Sequence, residues 1–69
     1  METVKMDANR VKLAIEAVGG KNELALRLDR TVRQVGNYLS GGMAQRIIQD
    51  EIERIIREYE RKNRSQSAQ

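Results

Sequence analysis

The 69-residue sequence contains neither cysteine nor histidine. Without cysteine there is no disulfide and no thiolate metal site. Without histidine, the commonest metal ligand and the commonest general base are both missing. No apolar run is long enough to span a bilayer, and no signal-peptide pattern is present. These absences predict a soluble cytoplasmic protein with no cofactor and no membrane partner, and the lack of cysteine is compatible with a reducing compartment. They also argue against an enzyme. Catalysis would fall to carboxylates, lysine or tyrosine in a cleft, and most acidic residues here belong on solvated helix faces. A chain this short makes one domain at most and buries a small core, with little room for a small-molecule pocket.

What charge there is lies unevenly. The formal net charge is +3. In residues 1–19, Lys5, Arg10 and Lys12 balance Glu2, Asp7 and Glu16. In residues 47–69, Arg54, Arg57, Arg61, Lys62 and Arg64 balance Asp50, Glu51, Glu53, Glu58 and Glu60. Residues 20–46 hold the whole excess: Lys21, Arg27, Arg30, Arg33 and Arg46 against Glu23 and Asp29. A positive segment of this kind suits a polyanion, although small soluble domains also reach such a charge by chance.

The same segment has the strongest pattern. Leu24, Ala25 and Leu28 form one helical stripe, and Val35, Tyr38 and Leu39 form another. Between them, Thr31 and Gln34 have the spacing of a capping box. One helix should therefore end near Leu28 and a second should start just after Thr31. So short a connection forces the helices to cross steeply, and the small Ala25 lets them approach. That is helix-turn-helix geometry.

Residues 20–41 resemble the Cro and phage-repressor class of helix-turn-helix proteins. The elements carrying the resemblance are Ala17-Val18-Gly19-Gly20, Leu24-Ala25 and Val35-Gly36-Asn37-Tyr38-Leu39-Ser40-Gly41. In this register they look most like small prophage regulators of the YdaS type. The family usually has glycine where Asp29 stands and an aliphatic residue where Arg30 stands. Aspartate can adopt the left-handed conformation, and arginine can bury its stem while its head stays in water.

The resemblance implies double-stranded DNA as partner, with the second helix of the pair in the major groove. The base-contact candidates are Val32, Arg33, Gly36 and Asn37. Arg33 can grip guanine O6 and N7, Asn37 can grip adenine N6 and N7, and Val32 can touch a thymine methyl. Gly36 is costly in mid-helix; it either permits close approach to a groove wall or DNA, or marks a poorly optimised helix. The phosphate-contact candidates are Lys21, Asn22, Thr31, Gln34, Tyr38 and Arg46. Lys21 and Asn22 stand at a helix N-terminus, which attracts anions; the plainer roles are solvation for Lys21 and capping for Asn22. Gln34 is committed in part to the capping box, and core packing competes for Tyr38.

The rest of the chain completes an all-α fold of about four helices. Residues 1–6 have no period and are expected to be a flexible or loosely docked arm. Asp7 is placed to cap a first helix over about 8–18, whose stripe is Val11, Ala14, Ile15 and Val18 and which Gly19 and Gly20 end. Ser40, Gly41 and Gly42 read as a hinge, with no strand nearby. A long last helix spans about 43–61. Its seam of Ile48, Ile52, Ile55 and Tyr59 steps by four, three and four, and Ile56 lies beside it. Glu53–Arg57 and Glu58–Lys62 are supportive i,i+4 pairs. The distal seam has little left in its own chain to cover it, so Ile48, Ile52, Ile55, Ile56 and Tyr59 are expected to form a homodimer interface. Residues 1–62 would be the domain and 63–69 a disordered polar tail.

The expected function is a dimeric, sequence-specific regulator on an inverted repeat, repressing by occluding a promoter. Size and resemblance suggest a phage, prophage or plasmid origin. The alternative is a protein-interaction module, such as an antitoxin or assembly factor, using the isoleucine-rich last helix.

Overall fold

The computed structural model describes the backbone of residues 2–67 and the side chains of residues 2–63. In chain order the elements are β1 (Thr3–Lys5), α1 (Ala8–Val18), α2 (Lys21–Leu28), α3 (Val32–Leu39), β2 (Met43–Gln45) and α4 (Arg46–Ser67).

Local chemistry sets the helix ends. The Asp7 carboxylate accepts from the Asn9 N–H at 2.9 Å and the Arg10 N–H at 3.4 Å, which starts α1. Gly19 ends it at φ 93°, a left-handed value that a side chain would oppose, and its N–H reaches the Ile15 carbonyl. Asp29 takes the left-handed position after α2, at φ 56° and ψ 46°. At the head of α3 the capping box is closed. The Gln34 N–H donates to Thr31 Oγ1 at 3.1 Å, and the Thr31 N–H donates to Gln34 Oε1 at 2.9 Å.

Helix α1 packs against all three other helices. Leu24, Ile52, Ile56, Val11 and Val35 are fully enclosed, which brings α1, α2, α3 and α4 to one centre. Arg10 on α1 reaches Glu53 on α4 through a two-pronged ion pair, Nε to Oε2 at 3.0 Å and Nη2 to Oε1 at 2.6 Å. Glu53 thus crosses to another helix instead of meeting Arg57 one turn on.

Three expectations need correction. The fold is mostly helical but includes strands: the arm over 1–6 pairs antiparallel with β2, with Thr3 opposite Gln45, Val4 opposite Ala44 and Lys5 opposite Met43. The Met6 N–H to the Gly42 carbonyl and the Arg46 N–H to the Glu2 carbonyl, both 3.0 Å, extend the ladder at each end. Strands of three residues are too short for a period to appear. Their inward residues, Ala44 with Met6 just beyond β1, lie in the core.

The last helix starts at Arg46, because residues 43–45 are in β2, and it runs through Ser67. The tail expected to be disordered over 63–69 is therefore helical as far as residue 67; residues 68 and 69 lie outside the described residues.

The isoleucine seam is not a free surface. Ile48, Ile52, Ile55 and Ile56 are at most 8% exposed within the single chain, and Tyr59 is half-buried. Helix α1 and the strand pair pack along the stripe, and the shared core closes over it where a second copy was expected. Ile47, off the seam, is the isoleucine that faces out, at 64% exposure.

Two outcomes follow for stability. Ile52→Ala should cost about 2–5 kcal/mol in urea denaturation, since a buried branched side chain leaves a cavity. The hydrogen bond from Arg10 holds the Glu53 carboxyl below its ordinary pKa. Its stabilisation is complete above the ordinary carboxylate range and is lost as pH falls through the depressed value. Wild type should therefore exceed Glu53→Gln in urea midpoint at neutral pH, and the gap should close under acid.

Candidate nucleic-acid interface

Helices α2 and α3 are joined by residues 29–31 alone. The turn is tight because Asp29 accepts a left-handed backbone and the Arg30 N–H returns to the Ala25 carbonyl at 2.9 Å. Arg30 is half-buried, and its guanidinium donates to the Asp29 carbonyl at 3.0 Å and to Gln45 Oε1 at 3.4 Å. The turn is thereby tied to β2, a link that no local pattern announces.

Helix α3 has two faces. Val35 and Tyr38 are buried and Leu39 is half-buried against the core. The opposite face carries Arg33, Gly36 and Asn37, with Val32 at its edge, 43% exposed. Arg33 and Asn37 are exposed, and their side chains form no hydrogen bond or ion pair with any described residue. Exposed, unpaired donors on one helix face are available to an external acceptor.

Asn37 is the more constrained of the two. A Cβ on residue 42 would fall 2.6 Å from its Nδ2 and 2.9 Å from its carbonyl oxygen. Glycine at 42 is what lets the chain turn so close behind Asn37, and the Gly42 N–H bonds that same carbonyl at 3.0 Å.

The phosphate candidates divide. Lys21 and Asn22 are exposed, and together with Gly19, Gly20, Glu23 and Val32 they line one shallow depression. The N-cap of α2 is Gly20, with no side chain bonded to the first-turn N–H groups, so Asn22 is not the cap. The depression joins the open end of α2 to the first residue of α3. Thr31 and Gln34 are exposed but occupied with each other. Tyr38, 5% exposed, is a core residue. Arg46 is exposed, but its Nη1 holds both Glu2 oxygens, at 3.0 and 3.3 Å.

The positive surface is narrower than the residue tally suggests. Arg27 lies beside Tyr59, Glu58 and Lys62, on the flank of α4. Arg30 and Arg46 are engaged within the chain; Lys21 lines the depression, and the exposed Arg33 follows Val32, which lines it too. No group of three or more carboxylates able to hold a metal ion occurs among the described residues, and no helix there is long and apolar enough to cross a membrane.

No family model matches this chain, and no curated protein or solved structure is similar to it at a significant level.

The cap is the local device on which the orientation of α3 rests. Thr31→Ala should lower unfolding free energy by about 1 kcal/mol and Thr31→Ser by much less, read from urea melts.

Proposed function

We propose that this chain is a sequence-specific DNA-binding regulator of transcription, with α2 and α3 as a helix-turn-helix and α3 lying in a major groove. The observation that carries this reading is the outer face of α3. Arg33 and Asn37 stand exposed and unpaired there, and Val32 at the head of the same helix shares a depression with the uncapped N-terminus of α2. A guanidinium fork matches guanine O6 and N7, and a carboxamide matches adenine N6 and N7. The free N–H groups at the start of α2, with Lys21, suit a phosphate of the flanking backbone. Phosphate contacts would set register and supply salt-dependent affinity, and the α3 side chains would discriminate sequence.

Regulation would then be by occlusion of a promoter, the simplest mechanism for a domain without an effector module. An interaction module would need the isoleucine face of α4, and that face is spent on the chain's own core. One chain would engage one half-site, because the same burial leaves no isoleucine seam free for a second copy.

The test is fluorescence anisotropy on a duplex selected from random DNA, for wild type and Arg33→Ala across a salt series. Wild type should enrich a defined site and lose affinity steeply as salt rises. Arg33→Ala should flatten preference at one position per half-site, costing about tenfold or more. A palindromic site would mean two copies bind, and a lone half-site one. Failure to enrich any sequence, with weak binding at every salt, would overturn the reading.

A further inference from the structure

The residue on the outer face of α3 that the fold does not explain is Gly36. It sits inside an eight-residue helix, its φ is not positive, and a Cβ built on it meets nothing within 4 Å. Neither backbone conformation nor packing within the chain calls for glycine there. In a helix interior glycine is less favourable than alanine, so the helix bears a penalty that nothing inside the molecule offsets.

The side chain of a helical residue leans toward the preceding turn. What is missing at 36 is therefore cover over the surface beside Val32 and Arg33, its i−4 and i−3 neighbours. Val32 is apolar and 43% exposed. One turn further on, the Ser40 hydroxyl is turned back onto the Gly36 carbonyl at 3.2 Å, so it is not offered outward. Leaving out the side chain opens a notch one Cβ deep in the helix surface, with nothing within 4 Å of the Cβ position and with the partly exposed Val32 and the unpaired Arg33 one turn back in sequence.

Resting on the DNA reading above, we propose that Gly36 is a specificity-determining residue. The notch admits the 5-methyl group of a thymine against Val32 and the Gly36 Cα, at a T·A pair adjacent to the G·C pair gripped by Arg33. A methyl is the feature that marks thymine in the major groove, and apolar contact is how it is read. A Cβ on residue 36 would fill the space the methyl takes and hold the helix off the groove floor.

The proposal sets stability and binding in opposition, which makes it testable with one variant. Gly36→Ala should melt several degrees higher than wild type, as expected for removing a helical glycine from a domain this small. On the selected duplex it should bind at least about tenfold more weakly, as for loss of one good base contact. Replacing the thymines of that duplex one at a time by deoxyuridine should cost wild type about fourfold at one position, the worth of one buried methyl. Gly36→Ala should be indifferent at that position. Wild-type affinity in a stable Gly36→Ala overturns the notch and leaves the DNA reading standing, provided Arg33→Ala still loses base preference. A lower melting temperature for Gly36→Ala also overturns it, since glycine would then serve the fold. If wild type enriches no DNA at all, the notch falls together with the reading it rests on.

Discussion

Everything in this molecule depends on the enclosure of one side of α4. Ile48, Ile52, Ile55 and Ile56 meet Val11 and Ala14 of α1, Leu24 and Leu28 of α2, and Val35 and Tyr38 of α3 in a single cluster. A domain of this size has no second core to fall back on, and with no cysteine there is no covalent brace. Burial of apolar surface must therefore offset the ordering of the whole chain. The Arg10–Glu53 pair adds direction more than strength: both side chains remain over a third exposed, where water screens them.

That enclosure divides the surface of α3. The core takes Val35, Tyr38 and half of Leu39, and what remains outside is Gln34, held in the capping box, and a narrow strip of Val32, Arg33, Gly36 and Asn37. The strip is held from both ends. At its head the Thr31–Gln34 box fixes where the helix begins. At its foot the Gly41–Gly42 turn folds against Asn37 and delivers the chain to β2.

The first three helices were legible from local chemistry. Asp7, the Gly19-Gly20 pair, the αL-tolerant Asp29 and the Thr31–Gln34 spacing mark ends that the structure places at the same residues. Each is a short-range signal, carried by a side chain within a few residues of the backbone group it satisfies. The strands were not legible. Pairing of Thr3 with Gln45 depends on chain folding between them, and nothing in either triplet encodes its partner. The isoleucine seam shows the opposite error. Its spacing correctly predicted an apolar stripe, but a stripe does not state what covers it, and the chain covers it itself. At the candidate site the exposure of Arg33 and Asn37 could be read from the helical wheel. The engagement of Arg46 by Glu2 and of Arg30 by Gln45 could not, because both ties cross long stretches of sequence.

The strand pair has one further consequence. By joining residue 3 to residue 45 it closes a ring, and α1, α2 and α3 all lie inside that ring. Ring closure costs entropy that grows only with the logarithm of its length, about 0.6 kcal/mol per doubling. Lengthening the ring is therefore a mild perturbation, and unlatching it is a severe one. The clasp of the ring is six residues of backbone pairing, and β2 runs directly from it into α4. Variation can thus accumulate along the circumference of the ring far more freely than at its clasp.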